Sequence, residues 1–274
     1  MIAPSESSQV SSEPQPATAA FTRDTLVARS GRAFAPIPKV FVQSPPDSPD
    51  RRGPLSEFVR RGDTRGLLAF LFLHTIISSD KSADGWSTTL DLGVWARALY
   101  TVSTATGPAA KSAATKILSR LVERGLIERR HGGKGRKVTV TLLAADGKGA
   151  PYVRPNGKTI EGRFLKLNHA FWLEEWDQQL KLSEIAMLLV ALHEKPDFTL
   201  PTERMPSWYG WSADTAERGF RGLAEHGLLE IRKQTVTDAL SPSGLTESNR
   251  YSLLAPFDAA SINVATTKLT RGRT

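Results

Sequence analysis

The chain has 274 residues, with 36 Lys+Arg against 28 Asp+Glu and a formal charge of +8. Its pI is near 9.8. It contains no cysteine, which excludes disulfide scaffolds, thiolate metal sites, iron–sulfur clusters and thiol nucleophiles. No apolar run approaches the ~18 residues that a membrane span needs. The opening residues lack a basic start followed by an apolar core, so a cytoplasmic protein with no membrane partner is expected. Length allows about two domains, and an apolar content of 40% is enough to pack their cores.

Residues 1–34 read as a disordered tail. Met1 to Ala20 is mostly Ser, Pro, Gln, Glu and Ala, and prolines recur from Pro4 to Pro49. Each proline removes a backbone donor and disfavours helix in the residue before it. Just beyond this tail, the short apolar island Lys39-Val40-Phe41-Val42 is expected to add a strand to the first domain. A helix apolar on most faces follows, centred on Leu67 to His74. Next come a short strand (Ser87 to Leu90), a second helix (about Leu92 to Tyr100) and a third from about Pro108 to Arg124. Gly125 ends the third helix, because glycine tolerates the left-handed cap position. Two strands, Leu126 to Arg130 and Val138 to Leu143, then flank a polar turn. Asp146 to Lys158 is rich in Gly and Pro and reads as a linker.

The pattern then returns. Glu184 to His193 is an apolar helix like the first. Phe198 to Leu200 is a strand, Thr202 to Tyr209 and Ser212 to His226 are helices, and Leu228 to Gln234 and Arg250 to Leu254 are strands. Leu121, Gly125, Leu126 and Glu128 fall on Leu223, Gly227, Leu228 and Glu230 at a constant offset of 102 residues. A repeat that long means two copies of one domain and not a solenoid. The expected organisation is a tail (1–34), a basic domain (35–145), a linker (146–158), a second domain (159–256) and a flexible basic tail (257–274).

Three helices and a hairpin, joined through Leu121-x3-Gly125-Leu126-Ile127 and again through Leu223-x3-Gly227-Leu228-Leu229, resemble the winged helix-turn-helix family. The resemblance covers roughly residues 60–145 and 165–255. It implies an α+β, mainly helical chain of two winged helix-turn-helix domains in tandem. It also implies that each third helix enters a DNA major groove while the hairpin "wing" touches the backbone or minor groove. Copy one departs from the compact pattern, because Thr101 to Gly107 is longer than the usual turn between the two helices. Copy two keeps a tight turn at Trp208 to Ser212, with Ser212 as a good N-cap.

At about 100° per residue, Ala110, Ala114, Ile117, Leu118 and Leu121 share the core face of the third helix of copy one. Ser112, Thr115, Lys116 and Ser119 lie opposite, flanked by Lys111 and Arg120. Small hydroxyls can approach base edges, and cations reach phosphates or guanine. The turn with Arg129, Arg130, Lys134, Arg136 and Lys137 holds five cations among glycines, which suits phosphate neutralisation. In copy two Arg218 and Arg221 are outward, beside Asp214 and Glu225. Residues 35–150 carry a net charge of +8 and residues 151–256 a net charge of −2, so copy one is the expected electrostatic anchor. The aromatic cluster Phe171-Trp172-Leu173-x2-Trp176 is expected to pack, with a homodimer patch as the alternative.

No catalytic constellation is legible. The five histidines show no metal-ligand spacing, and no Gly-x-Ser-x-Gly elbow occurs. No cofactor, no metal and no enzymatic activity are expected, and no effector pocket is evident. The leading expectation is a site-specific binder of double-stranded DNA, nucleoid- or plasmid-associated, acting as a transcriptional regulator. A loose likeness to plasmid or phage replication initiators, which bind direct repeats, rests on the two-domain architecture and the Asn249 to Leu254 strand. A winged-helix protein–protein adaptor is the third reading.

Overall fold

The computed structural model describes residues 15–103, 107–132 and 137–271. The chain opens with helix α1 (Ala19–Ser30), strand β1 (Phe34–Pro38) and helix α2 (Leu55–Arg60). Copy one then runs α3 (Thr64–Ile76), β2 (Ser87–Asp91), α4 (Leu92–Ala98), α5 (Gly107–Glu123), β3 (Ile127–Gly132) and β4 (Lys137–Leu142). Next come β5 (Phe164–Asn168) and two single-turn helices, α6 (Ala170–Leu173) and α7 (Trp176–Gln179). Copy two runs α8 (Leu182–His193), β6 (Phe198–Thr199), α9 (Met205–Trp208), α10 (Ala213–Glu225), β7 (Leu229–Thr237) and β8 (Leu245–Leu253). Helix α11 (Ala259–Arg271) closes the chain.

The two copies have the same order of elements and the same sheet topology. In each, a short strand before the second helix pairs with the last strand of the hairpin, giving the antiparallel orders β2-β4-β3 and β6-β8-β7. Ser87 lies opposite Thr141 in the first sheet, and Phe198 lies opposite Tyr251 in the second. Helix amounts to 45% and strand to 21% of the described residues, so the class is α+β with a substantial share of sheet.

Local chemistry explains the boundaries. Asp63 caps α3 by accepting from Gly66 N, Asp91 caps α4 through Gly93 N, and Ser212 caps α10 through Thr215 N. Each cap satisfies an orphan N–H of the first turn. Gly125 and Gly227 sit at φ of 64° and 71° after α5 and α10, the left-handed position that glycine takes without a Cβ penalty. Thr101 Oγ1 donates to the carbonyls of Ala96 (2.9 Å) and Ala110 (2.8 Å). It thereby stitches α4 to α5 across the long connection that the sequence had flagged.

The segments expected to lack structure are where the sequence reading needs correction. Residues 15–34 are not a tail: α1 is capped by Thr18 and buries Arg23, Leu26 and Val27. Lys39 to Phe41 is a 3-10 turn, and the strand lies just before it. That strand, β1, pairs antiparallel with β5, Phe34 opposite Asn168 and Pro38 opposite Phe164. Its two prolines are tolerated for a geometric reason. Ala33 accepts from His169 N, and Lys39 N donates to Arg163 O, so the odd-numbered residues face β5. Pro36 and Pro38 then turn their missing donors to the open edge.

The expected linker is packed as well. Tyr152 is buried between the rings of His74 (5.3 Å) and Trp86 (5.5 Å). Residues 259–271 are helical, with Ile262 buried and Asp258 accepting from Ser261 N at 2.9 Å. Buried residues of α1, both copies and Phe257 form one continuous apolar core. No helix among the described residues is long and apolar enough to cross a membrane.

Candidate nucleic-acid interface

Helix α5 buries Ala110, Ala114, Ile117, Leu118 and Leu121, the face that periodicity predicts. On the opposite side Ser112 and Lys116 are exposed, and Lys111 and Thr115 are half-buried. Lys137 is exposed at the start of β4. Among the described residues no carboxylate pairs with Lys111, Lys116 or Lys137. These three cations and Ser112 are available to an external anion.

The other expected contacts are engaged within the protein. Arg120 donates to both oxygens of Asp63, Nε to Oδ2 at 3.0 Å and Nη2 to Oδ1 at 2.9 Å. Arg124 adds a bond to Oδ2 at 2.6 Å, with its guanidinium over Phe58 at 4.2 Å. Burial alone would raise the Asp63 carboxyl. Hydrogen bonds from Arg120, Arg124 and Gly66 N outweigh burial and hold it below the usual carboxylate range. This cluster locks the start of α3 to the end of α5, so Arg120 is a structural tie first.

Arg129 likewise donates to Thr115 O and to Ser119 Oγ, both at 3.0 Å. It fastens β3 to α5 and occupies the Ser119 hydroxyl. Thr115 Oγ1 donates to Lys111 O at 3.0 Å. Arg130 pairs with Asp84 from the loop before β2. Sequence distance hid the partners of Arg120, Arg124, Arg129 and Arg130. Lys134 and Arg136 lie outside the described residues.

Copy two presents a different surface. Arg218 pairs with Asp214 at 3.1 Å and Arg221 with Glu217 at 2.7 Å, both at i,i+4 on α10. On the β7–β8 hairpin Lys233 pairs with Glu247 at 3.5 Å. Asp197 accepts from both Arg232 and Arg250 at 2.7 Å. The cations of this surface are neutralised by neighbours on the same face. Exposed pairs of this kind add little stability, but they cancel the field that a phosphate would feel. The arrangement puts Lys111, Ser112 and Lys116 on one helix, with Lys137 on the adjoining hairpin, and it leaves Arg218 and Arg221 in local ion pairs.

The cluster before α8 packs in part: Phe171 and Trp172 are buried, Trp176 is half-buried and Leu173 is exposed, and Trp172 Nε1 donates to Thr75 Oγ1 at 2.9 Å. No group of His, Asp or Glu among the described residues is placed to hold a metal ion. Comparison with family models, curated proteins and solved structures found no match to this chain.

Proposed function

We propose that this chain is a site-specific binder of double-stranded DNA, built from two tandem winged helix-turn-helix units and acting as a transcriptional regulator. The observation that carries the reading is the α5 face. It presents small hydroxyl and ammonium groups without internal carboxylate partners, on the third helix of a helix–strand–helix–helix–hairpin unit. In such a unit the third helix is the element that reaches base edges, while hairpin cations hold phosphates. Copy one is the anchor. Copy two, whose arginines are paired locally, positions the first unit and supplies a weaker second contact.

A second reading draws on the fusion of the copies. The β1–β5 ribbon and the shared core hold two third helices on one body. That suits two half-sites at fixed spacing, as in direct repeats bound by a replication initiator.

The test is retention of sheared host DNA, plasmids included, followed by sequencing. Peaks scattered over promoters support the regulator, and a sharp peak on clustered repeats supports the initiator. Changing Lys111, Lys116 and Lys137 together to Ala is expected to weaken binding to every sequence. If each neutralises one phosphate, the salt slope falls by about 2.7, at about 0.9 per phosphate. Undiminished retention by that variant would refute the α5 reading, and no retention of any duplex by the wild type would favour the adaptor.

A further inference from the structure

A cavity of about 480 Å³ lies between β5, the C-terminal end of α8, β8 and the first turn of α11. That size is ordinary for a small-molecule site. Most of its wall is hydrocarbon, with Phe164, Leu192, Phe198, Leu253, Phe257 and Ile262 as the large contributors. Three lysines line it: Lys39, Lys166 and Lys195. Lys39 comes from the 3-10 turn after β1, a part of the chain remote in sequence from the rest of the wall.

Each of the two carboxylates on the same wall has one oxygen engaged. Glu194 Oε1 lies 2.9 Å from His193 Nδ1 and accepts from the Tyr209 hydroxyl at 3.3 Å. Asp258 Oδ1 accepts from Ser261 N at 2.9 Å, capping α11. The lysines are less committed. Lys39 donates to the His193 carbonyl, Lys166 lies 5.1 Å from the Phe34 ring centroid, and Lys195 is exposed with no ion pair among the described residues. Burial pushes the Lys39 ammonium down, and the neighbouring positive charges of Arg163 and Lys195 act in the same direction, against Glu194. An anion placed there would relieve that crowding.

We propose that this cavity binds a small amphipathic anion, with a carboxylate head among Lys39, Lys166 and Lys195 and an apolar body against Phe164, Phe198 and Ile262. The occupant would touch the turn after β1 on one side and β8 with α11 on the other, so it would brace the first part of the chain against the last. The site stands independently of the DNA-binding reading. The body is a hydrocarbon chain or an aromatic ring, and both suit this wall.

The full chain is titrated with decanoate, with 2-naphthoate and with decyltrimethylammonium as a cation of equal chain length, by calorimetry and by thermal shift. The expected result is that at least one anion binds and raises Tm, about tenfold or more tighter than the cation. Decanoate alone identifies an aliphatic ligand, and 2-naphthoate alone an aromatic one. Lys195→Glu, at an exposed position, is expected to lose about tenfold or more in anion affinity with an unchanged Tm in the absence of ligand. Ala260→Phe, on the exposed first turn of α11, plugs the mouth without touching the core and abolishes binding. Neither anion binding, the cation binding equally well, or full anion affinity in both variants would overturn the proposal.

Discussion

His74 is fully enclosed in the core of copy one, against the rings of Phe70 and Tyr152, with neither ring nitrogen hydrogen-bonded. Burial pushes its pKa down to about 3, and His169, also buried without a partner, down to about 4. A histidine that stays neutral in the fold takes up its proton only on unfolding. The unfolded state then binds more protons between pH ~6.5 and the folded pKa, so stability is lost as pH falls through that window. Between pH 7.5 and 5 each of these histidines removes about 2 kcal/mol. His74→Leu is expected to remove its own share. Urea unfolding at the two pH values should show the wild-type loss exceeding the variant's by about 2 kcal/mol, and equal losses would contradict the assignment. Asp177 works in the opposite sense. Burial raises its carboxyl to about 6 despite Arg23, so protonating it stabilises the fold as pH falls from ~6 to ~4. The comparison is therefore made between variant and wild type at each pH. The structural use of His74 was legible from its place at the end of an apolar helix. Its lack of any hydrogen-bond partner was not, because that depends on what the rest of the chain brings around it.

At the scale of elements, α5 shows how far sequence periodicity reaches. Its buried face was readable residue by residue, since a 3.6-residue period marks which side chains meet the core. Its outward face was readable only in part. Arg120 and Arg129 looked free because their partners, Asp63 and the Thr115–Ser119 stretch, meet them only after folding. Helix α1 was missed for a related reason: the side chains it buries include Thr22, Arg23 and Ser30, so no apolar stripe marks its inner face. The contact of α8 with α10 is set by glycine in place of periodicity. A Cβ on Gly222 would collide with the buried Glu184 carboxylate, and one on Gly219 with Ser183 O and Met187. Glu184 in turn accepts from Lys181 N at 2.7 Å at the start of α8. Gly222→Ala is therefore expected to destabilise by about 1–3 kcal/mol, as overpacking does, even though alanine is the better helix former. A thermal melt should show a clear drop in Tm for this variant. An unchanged or raised Tm would mean that α8 and α10 separate without cost.

On the scale of the whole molecule, one residue pair joins what the sequence presented as separate parts. Arg23 of α1 lies over Phe72, Tyr100 and Trp172 at 5.0, 4.1 and 4.9 Å. It also donates to Asp177 Oδ2 at 2.6 Å. The helix read as a tail thus clamps copy one, through Phe72 and Tyr100, to the segment that leads into copy two. The repeat in the sequence disclosed two like units but nothing about their joint, since Arg23 and Asp177 are ordinary charges until they are buried together. Both side chains are almost wholly enclosed, at 6% and 2% exposure. Removing one member leaves the other buried without its partner, a stranded guanidinium or a carboxyl that must take up a proton, which costs about 3–5 kcal/mol at most for a buried pair, whereas replacing both by apolar groups of similar volume is often near neutral. Arg23→Met alone should therefore shift the urea midpoint strongly downward. Arg23→Met with Asp177→Leu should recover most of that loss. If the double variant is as unstable as the sum of its singles, the pair does not act as a unit. If Arg23→Met is silent, α1 is not a clamp. Under the proposed function this joint also sets the distance between the two third helices. The double variant, stable but without the directional ion pair, should then bind a single half-site normally and discriminate less between spacings of two.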